Sequence, residues 1–427
     1  MGERTGEFDV IVIGGGASGL AAAVAAARAG ARTLVLERDA AAGLPILSTG
    51  NGRCNISNER LDPARYRDPA WARRVFGDAP ERTLGAFFDS LGIVTCAVEG
   101  RLYPVTRRAA SVRDALLAEA ARRGVEVRCG AEAVSATRAG DGWELTVSVP
   151  ARPVRFEGDA RRARRALAGA ARVSRDLRAR TVVLAPGGAS ADVCRLFDLP
   201  HEDEEPVLCP IACEVAGLGS GALARLDGVR VEGALTLVRD GDRIVREEGE
   251  VLLRAYGISG IVSFDLSRRV QPGDVVELDL LPPLDPAALL DHLRRREGRF
   301  GPIASASPRS SWFDGLLARP LAELVLELAT GTLESVERAC HGIPLAVSGL
   351  TERAQAQVRR GGIPLDAVDA ATLAVGEALY VCGEALDMDA DCGGFNLAWA
   401  WTTGLAAGSS AAAWALEPGS AAAHFTE

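Results

Sequence analysis

The amino-acid sequence predicts an α/β fold that the chain leaves for an inserted antiparallel domain and later rejoins. A buried strand, a glycine-rich turn, an Ala-rich helix and a second buried strand follow one another over residues 8–37, as in a βαβ unit. From residue 206, short strand-like runs broken by Gly and Asp indicate an antiparallel sheet or barrel. From residue 372 the α/β pattern returns. We therefore expect one α/β domain built from two separate parts of the chain.

The turn of the first βαβ unit carries a G-x-G-x-x-G pattern, filled by Gly14, Gly16 and Gly19. The first glycine permits the tight turn, the second lets the backbone approach a pyrophosphate, and the third lets the helix lie close to the strand. Free amides and the positive end of the helix dipole attract the pyrophosphate. Glu37 ends the second strand and can accept hydrogen bonds from ribose hydroxyls. The segment predicts a Rossmann-like dinucleotide site; an ordinary βαβ unit with a glycine-rich turn is the alternative.

Composition excludes several classes of function. The net charge of −9 argues against a nucleic-acid-binding protein. All 48 basic residues are Arg, so pyridoxal phosphate and lysine-aldolase chemistry, which need a lysine Schiff base, are excluded. The nine cysteines and four histidines are scattered without metal-ligand spacing, so we expect no metal site and free thiols in a reducing compartment. With no signal-peptide core and no membrane span predicted, we expect a cytoplasmic protein with a small-molecule substrate.

Apolar spacing and turn residues predict the remaining elements. We expect helices at 80–92, 109–123, 285–298, 314–340 and from near Asn396. We expect strands at 126–129, 143–149, 181–185, 207–215, 229–238, 243–253, 274–280 and 378–381, with a hairpin turn at 140–142. The segment 152–180 holds ten Arg and three acidic residues. It is expected to be a solvated helical or disordered insertion, with a docking surface for an anionic partner as the alternative.

Three further segments carry candidate chemistry. Ser48–Asn58 is rich in Gly and Asn, which permit a convoluted backbone that presents amides inward. Val381–Asp387 ends a strand at an acid that could bind ribityl hydroxyls, and residues 392–396 open a helix whose amides could face a flavin pyrimidine oxygen. Gly249–Gly260 leads from an expected edge strand into a glycine turn before another helix. An ordinary polar loop and a capped αβ connection are the alternatives for the first two segments.

Together these segments resemble the HI0933-like, or BaiN-like, NAD(P)/FAD-dependent oxidoreductases. The resemblance spans essentially the full length and rests on residues 50–55, 257–260, 361–362, 383–397 and 401–404. It implies a Rossmann-like FAD-binding domain with an inserted β-barrel-like domain and a small helical domain. The implied bounds are 1–205 and 366–427 for the FAD domain, 206–282 and 341–365 for the barrel, and 283–340 for the helices. The chain departs from the family pattern at Pro186, where Thr is usual.

The motif and the resemblance together imply a set of site residues. We expect FAD contacts at Gly14, Gly16, Ser18, Gly19, Glu37, Arg38, Gly52, Arg53, Cys54, Asn55, Val134, Gly187, Gly383, Glu384, Asp387, Gly393, Gly394, Phe395 and Asn396. Arg53 is expected to be a cation near the flavin or an anionic substrate group, with a purely structural role in its loop as the alternative. Tyr103 and Tyr256 are candidate proton donors, or packing residues. Cys54 is expected to be a small buried residue, with a reactive thiol as the alternative.

The sequence also constrains the reaction. A second Rossmann fingerprint is absent, so either NAD(P)H docks transiently over the flavin or the substrate itself supplies electrons. The lack of Cys-x-x-Cys disfavours reduction of a disulfide substrate. We expect a FAD-dependent oxidoreductase in which hydride moves between flavin N5 and a small organic molecule, driven by NAD(P)H. An oxygen-dependent amine oxidase of the same family and a non-catalytic FAD-binding redox sensor are the alternatives.

Overall fold

The computed structural model describes residues 6–154, 156–218 and 221–417. The chain divides into two compact units, the first made of residues 1–205 and 358–427 and the second of residues 206–357. The first unit therefore combines two separate parts of the chain, as the returning α/β pattern predicts. The finer domain boundaries given above stay predictions.

The elements are numbered along the chain. The strands are β1 (Glu7–Ile13), β2 (Thr33–Glu37), β3 (Ser57–Asn58), β4 (Thr95–Val98), β5 (Arg101–Pro104), β6 (Glu126–Cys129), β7 (Glu132–Ala139), β8 (Gly142–Pro150), β9 (Arg172–Leu184), β10 (Glu202–Val207), β11 (Ile211–Val215), β12 (Arg230–Arg239), β13 (Asp242–Arg254), β14 (Gly257–Ser259), β15 (Val275–Asp279), β16 (Ile343–Leu350), β17 (Val358–Gly362), β18 (Ala374–Gly376) and β19 (Leu379–Val381). The helices are α1 (Ala17–Arg28), α2 (Leu44–Ser48), α3 (Pro69–Phe76), α4 (Pro80–Ser90), α5 (Ala109–Arg122), α6 (Ala160–Ala168), α7 (Ala191–Leu196), α8 (Ile261–Ser267), α9 (Pro286–Phe300), α10 (Arg319–Leu328), α11 (Leu333–His341) and α12 (Phe395–Leu416).

A mostly parallel sheet forms the centre of the first unit, in the order β18-β19-β9-β1-β2-β6. Strands β19, β9, β1, β2 and β6 run parallel, and β18 is antiparallel at one edge. Two further antiparallel strands, β8 and β7, branch from β9 in the same sheet. Every residue of β2 is buried, which fits a parallel strand covered on both faces and explains its continuous apolar sequence. The site residues at the carboxyl ends of these strands therefore gather along one edge of the sheet.

The C-terminal helix α12 packs against α1 through two glycines. A Cβ added at Gly404 would lie 2.4 Å from the Ser18 carbonyl oxygen, and one at Gly408 would lie 2.2 Å from the Ala22 carbonyl oxygen. Both distances are far inside van der Waals contact, so only glycine permits this approach of the two helix backbones. Helix α12 is thereby fixed against α1.

The Arg-rich segment differs from the expected solvated insertion. Residues 160–168 do form an exposed helix, α6, but residues 172–180 are the first part of β9 and pair antiparallel with β8. The signal was the alternation at the end of this stretch, where Leu177 and Ala179 are buried and Arg178 between them is exposed. The high charge concealed a strand whose one face is apolar.

The hairpin turn at residues 140–142 is present, but it joins β8 to β7 and not to the predicted strand at 126–129. β8 pairs with β7, whereas the predicted strand at 126–129 is β6, which pairs in parallel with β2. β7 begins only two residues after β6 ends, so the sequence gives little sign that two separate strands are present.

The second unit contains a closed antiparallel barrel with the strand order β11-β14-β13-β12-β15-β16. The prediction that Gly249–Gly260 begins with an edge strand is wrong. This strand, β13, pairs with β12 on one side and with β14 on the other. The predicted helix at 314–340 is two helices, α10 and α11. A break at Gly331, with φ of +98°, and a capping box at Thr332 separate them.

The predicted fold class is thus confirmed: a Rossmann-type domain carries an inserted barrel with helices. Within the described residues, no helix combines the length and the apolar character needed to cross a membrane.

The contact between α1 and α12 generates a stability prediction. Gly408→Ala should lower the thermal unfolding midpoint by several degrees, because overpacking a tight contact costs about 1–3 kcal/mol. Gly85→Ala, at an exposed position of α4 where a Cβ meets no described atom within 4 Å, is the matched control. It should leave the midpoint unchanged or raise it, because Ala has the higher helix propensity. Equal midpoints for both variants in a thermal scan would contradict the proposed packing constraint.

Candidate cofactor-binding site

In the glycine turn after β1, two glycines have no room for a side chain and the third faces open space. A Cβ at Gly14, where φ is +108°, would lie 2.0 Å from the Ala185 carbonyl oxygen, and one at Gly19 would lie 1.9 Å from the Gly14 carbonyl oxygen. A Cβ at Gly16 would meet no described atom within 4 Å. The backbone at Gly16 is therefore accessible from outside, and no described side chain caps the N-terminus of α1 there. This geometry fits a pyrophosphate bound to the free amides of the helix.

Glu37 lies at the end of β2 beside this turn and is 8% exposed. Its Oε2 accepts a hydrogen bond from the Gly15 amide at 2.8 Å, and its Oε1 accepts one from the Asp39 amide at 2.7 Å. Burial raises the pKa of Glu37, although the two amides oppose this. The carboxylate therefore holds the glycine turn in place, and its remaining lone pairs suit a ribose hydroxyl.

Two residues that follow β19 contact other segments of the first compact unit. A Cβ at Gly383 would lie 2.4 Å from Ser18 Oγ, so the turn after β19 touches the first turn of α1. Glu384 Oε1 accepts a hydrogen bond from the Arg359 amide at 2.7 Å and lies next to Gly188. Burial raises the pKa of Glu384. The predicted ribityl acid is thus held beside the loop that follows β9.

The loop at Ser48–Asn58 adopts the convoluted backbone that its glycines predict. Gly50, Asn51, Gly52 and Cys54 all have positive φ. The loop contacts the start of α12: the side-chain amide of Asn58 donates to the Gly393 carbonyl at 3.0 Å.

Asn55 makes the second connection between this loop and the C-terminal segment. With its amide oriented to suit its neighbours, Asn55 donates to the carbonyls of Ser57 at 2.8 Å and Leu102 at 3.1 Å, and accepts from the Gly394 amide at 2.9 Å. The sequence predicted both segments as site residues, and the structure brings them together.

The N-terminus of α12 is open to a ligand. Gly394 occupies the cap position with φ of +97°, and no described side chain caps the helix. Intrahelical bonding begins with the Ala398 amide, which donates to the Gly394 carbonyl. The amides of residues 395–397 therefore have no partner within the helix. They suit an oxygen that carries negative charge, such as a pyrimidine oxygen of a reduced flavin.

Two side chains of this helix that were predicted to contact FAD bind other residues of the protein. The Asn396 side chain bonds the backbone of Ala390, donating to its carbonyl at 2.8 Å and accepting from its amide at 2.9 Å. Phe395 is buried, and its ring stacks edge-to-face on Tyr66 with centroids 6.0 Å apart. Only the backbone amides of these two residues stay suited to a cofactor.

Three buried acids, Asp387, Asp389 and Asp391, lie just before this helix. The sequence analysis predicted only Asp387 as a site residue. Asp387, Asp389 and Asp391 form ion pairs with Arg67, Arg360 and Arg65, respectively. All three carboxylates are at most 6% exposed. Burial of unpaired carboxylates would be costly, so the three arginines are required partners. The signal was the Asp-x-Asp-x-Asp repeat of residues 387–391, which places three acids within five residues. Asp387 also accepts from the Gly361 amide at 2.8 Å.

The candidate catalytic residues lie in different surroundings. Arg53 is exposed on its loop, whereas Tyr103 in β5 is buried beneath the Arg107 guanidinium, 4.6 Å from its ring centre. Tyr256 belongs to the second unit, where burial and the nearby Glu352 raise the pKa of its hydroxyl. The roles of these residues stay predictions.

Three other residues that were predicted to contact FAD are exposed or face open space. Arg38 is exposed at the end of β2, Val134 in β7 is 47% exposed, and a Cβ at Gly187 would meet no described atom within 4 Å. All three leave surface available near the sheet edge. No group of three metal-ligating side chains occurs among the described residues.

The buried Cys54 gives a chemical prediction. Burial raises the pKa of the Cys54 thiol to about 11, so at pH 8 about one molecule in a thousand carries the reactive thiolate. Iodoacetamide should therefore leave Cys54 unmodified in the folded protein and alkylate it in urea, as read by peptide mass spectrometry. Labelling of Cys54 at the same rate in both states would show that the thiol is accessible and activated.

The role of Glu37 gives a binding prediction. Glu37→Ala should weaken FAD binding by about tenfold to a hundredfold, because a ribose hydroxyl and two backbone amides lose their acceptor. Glu126→Ala, which removes an exposed acid from the adjacent strand β6, should leave the affinity unchanged. Fluorescence titration of the apoproteins with FAD measures both. Wild-type affinity in Glu37→Ala would place the ribose elsewhere.

Comparison with known proteins agrees with this geometry. The model of the HI0933-like protein Rossmann domain matches residues 8–410. A 3-dehydro-bile acid delta(4,6)-reductase of Clostridium scindens is 30% identical and covers 94% of this chain and 98% of its own. A ribosomal RNA dihydrouridine synthase of Escherichia coli is 25% identical and covers 93% and 96%.

A solved structure shares the fold. The open conformation of a flavocytochrome c3 fumarate reductase superimposes with a TM-score of 0.50 at 14% identity, covering 97% of this chain and 80% of its own. The family model spans nearly the whole chain and includes every segment that builds the site. The chain therefore belongs to the HI0933-like family of flavoprotein oxidoreductases.

Proposed function

We propose that this protein binds FAD and uses NAD(P)H to reduce a carbon–carbon double bond conjugated to a carbonyl in a small organic molecule. The observation that carries the proposal is that the first compact unit contains two helices, α1 and α12, whose N-termini have no side-chain cap. A dinucleotide with a flavin at one end needs both a pyrophosphate site and a site for charge on the flavin ring.

FAD, when bound, supplies two-electron chemistry at flavin N5. The protein residues have distinct tasks toward it. The turn at Gly14–Gly19 binds the pyrophosphate, Glu37 binds the ribose, and the amides of residues 395–397 favour negative charge on the pyrimidine ring. Such amides favour the reduced state and so adjust the reduction potential. Glu384, held by the Arg359 amide, is the proposed acceptor for ribityl hydroxyls.

The substrate class is supported by what the relatives are called. A delta(4,6)-reductase and a dihydrouridine synthase both saturate a carbon–carbon double bond conjugated to a carbonyl. Such a bond accepts hydride at one carbon and a proton at the other, so a proton donor is required. Tyr103 and Tyr256 are the proposed candidates. The net charge of −9 favours a small molecule over the RNA named for the second relative.

The proposal predicts the behaviour of the reconstituted protein without oxygen. NADPH or NADH should bleach the flavin absorbance band in stopped flow, and a conjugated enone should restore it, because hydride then leaves the flavin for carbon. Saturated ketones of the same skeleton are the control and should restore nothing. The measurement needs no knowledge of the natural substrate, since a panel of cyclic and steroidal enones tests the class.

Other outcomes favour the alternatives. Bleaching by a small amine, with hydrogen peroxide released on re-aeration, would support an amine oxidase. Failure of every donor to bleach a fully loaded protein, with only partner affinity changing on photoreduction, would support a redox sensor. Either result contradicts the reductase.

A further inference from the structure

Residues 156–172, the middle part of the Arg-rich segment, are held against the chain that follows β2. Arg164 on α6 forms a forked pair with Asp39, with Nε–Oδ1 at 3.1 Å and Nη2–Oδ2 at 2.6 Å. Asp39 is itself connected to the proposed ribose acid, because its amide donates to Glu37 Oε1 at 2.7 Å. The pair is partly exposed, so its strength is modest, but its two-point geometry fixes the direction of α6.

The segment has a second attachment at the loop after β6. Arg172 Nη2 donates to the Gly130 carbonyl at 2.9 Å, and the Gly130 amide donates to the Asp39 carbonyl at 2.8 Å. Leu167 lies directly over this glycine, because a Cβ added at Gly130 would be 2.6 Å from Leu167 Cδ1. The loops after β2 and β6 and the helix α6 thus form one connected structure.

A third attachment lies at the start of the segment. The Phe156 ring packs against the Arg113 guanidinium at 5.2 Å, and Arg113 Nε donates to the Ala42 carbonyl at 2.8 Å. The first two attachments therefore reach residues just after β2 and β6, and the third reaches Ala42 through Arg113 of α5. All three lie on the side of the site where Glu37 would bind the adenosine ribose.

An open recess of about 360 Å³ lies between α6 and the end of β2. It is lined by Arg38, Asp39, Arg164, Leu167, Ala168 and Arg172. Guanidinium planes and short apolar side chains are the surfaces on which an aromatic base stacks. Three arginines against one aspartate also favour a ligand whose neighbouring groups are anionic.

We propose that this recess takes the adenine of the bound dinucleotide, with residues 156–172 as the outer wall of the adenosine subsite. The proposal rests on the proposed FAD binding. Arg164 acts as a positioning residue that holds α6 in place through Asp39, and Leu167 supplies apolar contact. The Arg-rich segment is then part of the cofactor site instead of a docking surface for another molecule.

ADP is the probe that tests the proposal, because it contains adenosine and pyrophosphate but no flavin. In calorimetric titration of the apoprotein, Arg164→Ala should weaken ADP binding about fivefold and speed FAD release by a similar factor, because loss of the forked pair frees α6. Arg165→Ala, which removes an exposed Arg from the same helix, is the matched control and should change neither. Leu167→Ser should act like Arg164→Ala.

A direct label locates the base. Irradiation of the apoprotein with 8-azido-ADP should modify peptides from residues 156–172, and unlabelled ADP should suppress this. Wild-type ADP affinity in both Arg164→Ala and Leu167→Ser, or labelling confined to other peptides, would overturn the proposal. Equal thermal midpoints of the variant apoproteins show that weaker binding is local; a shared fall in midpoint and affinity would assign Arg164 to stability instead. If the wild-type protein binds ADP but not FAD, the proposed function fails while the adenosine subsite stands.

Discussion

The close approach of α12 to α1 is the constraint on which the site depends. Gly404 and Gly408 let the last helix lie on the backbone of the first, with no room for a single added carbon. This contact fixes the segment before α12, so that Gly383 meets Ser18. Two stretches that lie at opposite ends of the sequence thereby form one site, with the helix dipole of α1 directed at one part and that of α12 at another. The bonds from Asn55 and Asn58 hold the N-terminal end of α12 in addition.

Sequence reasoning succeeded where a local pattern has one physical meaning. The glycine turn needs small residues at Gly14 and Gly19 because backbone atoms lie within 2 Å of the missing Cβ atoms, and that requirement can be read from spacing alone. It was less successful where many charged residues hide the apolar pattern of a strand. The stretch 172–180 looked solvated because of its arginines, yet its alternating apolar residues make it part of β9. Contacts made between distant segments, such as Asp389 with Arg360, left no local pattern by which the pairing could be found.

The site also shows how buried charge is balanced in this protein. Glu37 is satisfied by two backbone amides, whereas the acids at 387, 389 and 391 each require an arginine. The difference follows from position. Glu37 lies beside a turn whose amides point at it, whereas each of the three acids lies within reach of an arginine from another segment, and Asp387 accepts from the Gly361 amide as well. The first arrangement leaves a carboxylate able to accept further hydrogen bonds from a ligand, and the second serves the stability of the segment that leads into α12.

The central claim is that both ends of the chain together form a site for FAD. Its most direct test is the identity and amount of cofactor in the purified protein, by absorbance spectrum and chromatography of the material released on denaturation. The account predicts a yellow protein, or an apoprotein that reconstitutes, with FAD bound at one molecule per chain. A colourless preparation that takes up no FAD, or one that binds FMN in preference, would contradict it.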